Sequence, residues 1–127
     1  STPYRSRVNF VEGDFLRDPL PAGHDLALLS AVIHSCSPDE VRALFTSVRS
    51  ALVTGGRVVV RDYVMNEDRT APVGGALFAI NMLVNTPGGA TYTHDEIVSW
   101  LTAAGFVRVR QLLAADTMSA LVEGYRP

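Results

Sequence analysis

The sequence predicts one α/β domain in which parallel strands lead into a C-terminal antiparallel hairpin, with helices on both faces of the sheet. Three observations carry this. Residues 26–33 are an apolar run of strand length, interrupted only by Ser30. A helix-period segment from Pro38 to about Val53 then leads to Val58-Val59-Val60, giving strand, helix and strand in a βαβ unit with a right-handed crossover. Near the end, residues 106–113 and 118–125 read as strands separated only by Ala114-Ala115-Asp116-Thr117, a hairpin-length connection.

Residues 8–11 form a short apolar run, predicted as a strand and ended by Glu12-Gly13-Asp14. Asp18-Pro19-Leu20-Pro21-Ala22-Gly23 is a loop by its turn residues. After the apolar run, Ser37-Pro38-Asp39-Glu40 carries a helix start: Ser37 as N-cap, Pro38 at the first helical position, Glu40 closing a capping box. Val41, Leu44, Phe45, Val48 and Leu52 fall on one face of that helix, and Thr54-Gly55-Gly56 is expected to stop it. Residues 57–63 are the second interior strand and residues 64–71 a loop. Residues 75–84 are apolar enough for a helix, stopped by Asn85-Thr86-Pro87-Gly88-Gly89. Thr93-His94-Asp95-Glu96 repeats the capping box and opens a helix to Ala104, with Gly105 as its stop and Ile97, Leu101 and Ala104 on its buried side.

Composition narrows the function classes. The chain has 127 residues, 47% hydrophobic and 19% charged, with a formal net charge of -2. It shows no basic stripe that would suit nucleic acid, and no apolar run of the roughly 18 residues that read as a membrane-spanning helix. No charged leader with an apolar core is visible, and the lone Cys36 fits a reducing, cytoplasmic setting. His24, His34 and His94 lack ligand spacing, so no metal site is predicted. Gly55-Gly56 and Gly74-Gly75 lack the Gly-Lys-Ser/Thr ending of a phosphate loop.

On the residues alone, several positions carry two readings. His34 closes the apolar strand, and ligands of open parallel sheets sit outside the carboxyl ends of the strands. It reads either as a reactive imidazole or as a buried or capping histidine. Asp62 is its partner or a turn-capping acid, and Asp14 after Gly13 a turn residue or a ligand contact. Cys36, next to a helix start, has a lowered pKa or is an unreactive thiol. Met82 reads with Leu77, Phe78, Ile80 and Leu83 as core, and Trp100 as packing.

The ordered series resembles one family. Gly13-Asp14-Phe15-Leu16 precedes Ile33-His34-Ser35-Cys36-Ser37-Pro38-Asp39-Glu40; Gly55-Gly56, Val60-Arg61-Asp62 and Thr86-Pro87-Gly88-Gly89 come after it. This is similar to the carboxyl-terminal half of the S-adenosylmethionine-dependent O-methyltransferases of phenols, hydroxyindoles and polyketide aromatics, over nearly the whole chain. The resemblance implies a partial Rossmann-like methyltransferase sheet and O-methyl transfer to a small aromatic hydroxyl compound. His34 would be the general base, taking a proton from a hydroxyl of pKa about 10 with a group titrating near 6.5. Asp62 would orient the imidazole. Asp14 and Phe15 match positions that contact the cofactor's adenine, while Met82, Asn85 and Thr86 match positions lining the acceptor pocket.

Departures from the family pattern accompany the matches. Cys36 stands where a Trp packs on the cofactor, and Ser30 where a Lys or Arg reaches the cofactor's carboxylate. Thr91 stands where plant members carry a second acid. No Gly-x-Gly-x-Gly loop occurs, and the chain begins at Ser1 rather than Met. It is therefore expected to be the latter part of a longer methyltransferase, inactive alone, or else a non-catalytic remnant serving as an interaction or self-assembly module. In the family's strand order, 3-2-1-4-5-7-6, residues 8–11 would be strand 3 and residues 26–33 strand 4. With strands 1 and 2 absent, strand 4 has a bare edge: either the first strand shifts to cover it or copies of the chain join there, and a homodimer or higher self-association through that edge is expected.

Overall fold

The computed structural model describes residues 4–127; the reading of Ser1 lies outside them. Four strands form the main sheet: β1 (His24–Ser30), β2 (Leu52–Asp62), β5 (Val107–Leu113) and β6 (Ala120–Tyr125), in spatial order β1-β2-β6-β5. β1 and β2 are parallel, whereas β2/β6 and β5/β6 are antiparallel. This is the 4-5-7-6 portion of the predicted order, hairpin included. Helices α1 (Pro38–Ala51), α2 (Val73–Asn85) and α3 (His94–Ala103) connect the strands. A two-stranded parallel pair, β3 (Val64–Met65) with β4 (Tyr92–Thr93), joins the ends of two loops.

The predicted helix starts form through the expected contacts. The Glu40 N–H donates to Ser37 Oγ at 3.3 Å while the Ser37 N–H donates to Glu40 Oε1 at 2.9 Å. In α3 the Glu96 N–H donates to Thr93 Oγ1 at 3.1 Å, and the Thr93 N–H to Glu96 Oε1 at 3.0 Å. Each box satisfies two amides that a helix start otherwise leaves unpaired. Val41, Leu44, Phe45 and Val48 of α1 and Ile97, Trp100 and Leu101 of α3 pack with Val58, Val60, Ala120 and Val122 in one core. Phe45 lies fully buried in it. Phe45→Ala should lower unfolding free energy by about 3–5 kcal/mol through lost burial and a cavity, measured by denaturant titration.

Helical cover is seen on the face that holds this core. The opposite face carries Leu26 and Leu28, 49% and 59% exposed, beside a charged cluster. The apolar run predicts a buried strand over residues 26–33. Only Ala27 and Leu29 of the strand, and Val32 and Ile33 beyond it, pack on the core, because β1 is an edge strand in the described residues. In the cluster, the Glu123 carboxylate accepts from Arg57 Nη1 at 3.1 Å and Arg110 Nε at 2.9 Å. Burial pushes that carboxyl's pKa up, but the two guanidinium groups outweigh it and hold it below the ordinary value. One acid thereby ties β2, β6 and β5 together.

Four further expectations are corrected. Residues 8–11 make no strand: they lie along the surface, with Phe10 93% exposed, because no neighbouring strand offers them a ladder. β1 ends at Ser30, three residues early, where Ala31 takes φ 57° and breaks the extended run. α1 stops at Ala51, and Thr54-Gly55-Gly56 belongs to β2 instead. There Gly55 adopts φ +81°, and a Cβ on Gly56 would sit 2.9 Å from the Val53 carbonyl oxygen. The glycines thus make the irregular entry into the strand, where the register slips between His24 and Leu26. Finally, Leu77, Ile80 and Leu83 are exposed rather than core; only Met82 of that group is buried.

Candidate active site

The early end of β1 builds the site. Past Ala31 the chain winds into a 3-10 turn, Ile33–Ser35, which drives Ile33 into the core and leaves His34 facing the end of β2. Asp62 is the last residue of β2 and is 1% exposed. Its carboxylate lies 3.0 Å from His34 Nδ1 through each oxygen, and it also accepts the backbone N–H groups of Tyr63 at 2.8 Å and His34 at 3.4 Å. A buried carboxylate requires such donors, since without them desolvation would neutralise it. Because a carboxylate only accepts, Nδ1 carries the proton that faces Asp62, and in the neutral ring Nε2 then keeps its lone pair. The His34 side chain is 13% exposed, so the ring is not sealed from solvent.

The turn after α2 grips the same residue from its backbone side. The His34 carbonyl accepts the Ala90 N–H at 3.0 Å. Thr86 Oγ1 donates to the Met82 carbonyl and accepts the Gly89 N–H, both at 2.7 Å. A Cβ on Gly89 would run directly into the His34 carbonyl oxygen and Thr86 Oγ1. Thr86 therefore shapes the turn with its hydroxyl already engaged. Asn85 hydrogen-bonds Asn81 at 2.6 Å on the exposed side of α2, and Met82 is buried.

The other candidate residues lie apart from the His34–Asp62 pair. Asp14 and Phe15 line a shallow cavity of about 100 Å³ formed by residues 11–15 and 18–21. Asp14 accepts the Leu16 N–H at 2.9 Å, so it does make a turn, while Phe15 is exposed. Ser30 accepts from Arg61 Nη1 at 3.2 Å, and Arg61 Nη2 donates to Ser119 Oγ at 3.3 Å. Cys36, expected on the cofactor side, is 1% exposed within the core. Burial pushes its thiol's pKa up, the opposite of a helix-start activation. Its carbonyl accepts the Tyr92 hydroxyl at 2.5 Å, and burial raises that phenol to about 12. Thr91, at the position of the second acid, is buried and donates to the Gly75 carbonyl at 3.3 Å.

Sequence reasoning missed Phe78. Its ring lies 4.8 Å from the imidazole of His34 at 85°, and 5.3 Å from the Tyr63 ring at 40°. The only signal was its place three residues after Gly75 on the inner face of α2. Among the described residues no group of His, Cys, Asp and Glu could hold a metal ion, and no helix is long and apolar enough to cross a membrane.

The family profile of the O-methyltransferase domain matches residues 1–107. This chain belongs to that family. It is 36% identical over 121 residues to 3-hydroxy-5-methyl-1-naphthoate 3-O-methyltransferase of Streptomyces sahachiroi, covering 94% of this chain and 35% of that protein. To acetylserotonin O-methyltransferase of Gallus gallus it is 38% identical over 108 residues, covering 85% and 31%. The structure of human N-acetylserotonin methyltransferase in complex with SAM superposes with a TM-score of 0.86 at 28% identity, over 96% of this chain and 34% of that one. The chain thus spans about a third of the length of the O-methyltransferases it matches.

Proposed function

We propose that this chain is the carboxyl-terminal part of an O-methyltransferase catalytic domain that uses S-adenosylmethionine to methylate a small aromatic hydroxyl compound, with His34 as general base. The His34–Asp62 pair carries the reading: a buried carboxylate fixes Nδ1–H, and a partly exposed ring keeps its Nε2 lone pair. Two relatives named for O-methylation of a hydroxynaphthoate and of acetylserotonin support the substrate class. The human relative's complex with SAM supports the donor.

The chain's residues act on protons. Nε2 takes the acceptor's hydroxyl proton, which makes the oxygen nucleophilic, and Asp62 stabilises the imidazolium that results. S-adenosylmethionine, when bound, supplies an electrophilic methyl group on a positively charged sulfonium. Asp14 and Phe15 would hold its adenine and Ser30 would lie near its carboxylate, while Met82, Asn85 and Thr86 would line the acceptor side. The described residues fit the cofactor as an edge rather than a complete site. Their cavity of about 100 Å³ is well below the roughly 300–1,000 Å³ of a usual ligand pocket. The lone, buried Cys36 accords with a cytoplasmic setting.

Calorimetric titration with S-adenosylmethionine tests this. The full-length protein should bind saturably and transfer the methyl group to small phenols. Absence of both would overturn the proposal. This 127-residue chain alone should give no saturable heat at micromolar concentration.

A second reading, a non-catalytic module that self-associates, rests on β1, which pairs only with β2 among the described residues and leaves Leu26 and Leu28 exposed. Light scattering of the chain should then give a dimer mass that Leu28→Lys returns to monomer. A monomeric wild type would exclude it.

A further inference from the structure

Asp62 alone does not define how the imidazole of His34 is turned. Both carboxylate oxygens stand 3.0 Å from Nδ1, so a small turn of the ring trades one oxygen for the other and keeps the contact. Such a terminal torsion, between tetrahedral and planar carbons, is intrinsically broad. A second contact is needed to fix the direction of the Nε2 lone pair. Phe78 makes one from α2, its ring centroid 4.8 Å from the imidazole and nearly perpendicular to it. This is the preferred edge-to-face geometry of two aromatic rings.

We infer that Phe78 is a positioning residue that sets the plane of the His34 ring and so aims Nε2 at the acceptor; this rests on the reading of His34 as the general base. The surroundings of α2 hold Phe78 to this task. Tyr63 packs behind it at 5.3 Å, and the Tyr63 N–H is itself bound to Asp62 at 2.8 Å. Gly75, one turn earlier on the same helix face, lets α2 approach closely. A Cβ there would lie 2.5 Å from Met65 Sδ and 3.1 Å from Cδ1 of Tyr63. The Thr91 hydroxyl anchors the Gly75 carbonyl at 3.3 Å. The outward residues Leu77 and Ile80 are exposed, so the inward side of α2, with Phe78 and Met82, is where the helix engages the domain.

Aim and tautomer are therefore set by different residues, Phe78 and Asp62. A ring turned away from the acceptor lowers turnover while leaving the binding of both substrates intact.

The test uses Phe78→Leu and Phe78→Met, which keep apolar volume but remove the ring, and Phe78→Tyr, which keeps it. In the full-length protein, Phe78→Leu and Phe78→Met should lower kcat about 10- to 100-fold, the scale of a misaligned reacting group, with KM values for donor and acceptor nearly unchanged. Phe78→Tyr should restore near-normal turnover. In the 127-residue chain, NMR should show the His34 ring protons displaced by the Phe78 ring current, and that displacement should vanish in Phe78→Leu. Unchanged kcat in both aliphatic variants, or unchanged His34 ring signals, overturns the inference. Equal losses in Phe78→Tyr and Phe78→Leu also overturn it, since they would mark a purely structural role. His34→Gln separates the two failures. If it abolishes turnover while the Phe78 variants do not, the base survives and only the positioning role falls. If it leaves turnover intact, the base reading itself falls, and the inference that rests on it falls with it.

Discussion

Replacing His34 with Gln in the full-length protein should cut methyl-transfer turnover by about 10²- to 10⁴-fold, the contribution of a positioned general base. The exchange is chosen so that loss of structure does not confuse the result. A Gln amide N–H can still reach the Asp62 carboxylate, so the buried acid keeps a donor along with the Tyr63 and residue-34 backbone N–H groups. What disappears is the ring nitrogen proposed to take the hydroxyl proton. Donor affinity, measured by calorimetry, should stay nearly unchanged, because the side chains expected to hold the donor are those of Asp14, Phe15, Ser30 and Cys36 rather than the imidazole. A variant with wild-type turnover would remove His34 from the mechanism.

Asp62→Asn should be nearly as damaging, through the tautomer. The carboxylate takes only donated hydrogens, from Nδ1 and from two backbone amides. An Asn of the same shape offers one accepting oxygen and one donating NH₂. The Tyr63 N–H binds Oδ1 and the His34 N–H binds Oδ2, so an Asn whose oxygen keeps the shorter Tyr63 bond turns its NH₂ toward the His34 N–H and Nδ1; there it favours the imidazole form protonated at Nε2, which cannot accept the acceptor's proton. The analogous acid-to-amide exchange beside the histidine of a serine-protease triad costs about 10⁴-fold, so a loss of about 10²- to 10⁴-fold in kcat is expected here. The variant should remain folded by circular dichroism. Turnover equal to wild type, alongside a crippled His34→Gln, would show that another group sets the tautomer.

Much of this architecture is legible in the chain because local signals and long-range order agree. Ser37 with Glu40, and Thr93 with Glu96, mark both helix starts to the residue, since capping is decided within four positions. Val58-Val59-Val60 and the terminal pair of runs place themselves in the sheet by period and length. Residues 8–11 have the same apolar look but form no strand, because ladder hydrogen bonds need a neighbour that no local pattern can supply. The pairing of Val64–Met65 with Tyr92–Thr93 is too short for any period to reveal. At the site, His34 and Asp62 are readable from strand ends, since parallel strands bring their carboxyl ends to one rim. Phe78 is not. Its partner is 44 residues away in the chain, and an aromatic in an apolar helix looks like core until the approach of α2 is seen.

Gly89 has no side chain and no chemistry, yet its bare α-carbon lies against the peptide oxygen of the proposed base. Sensitivity to substitution at such a position is easily read as a demand for loop flexibility. Here the demand is for emptiness: a methyl group there would displace either the Thr86 hydroxyl or the backbone that carries the imidazole. The placement of the proposed base is thereby handed to a residue without a functional group, and a scan ranking positions by functional groups would pass over it.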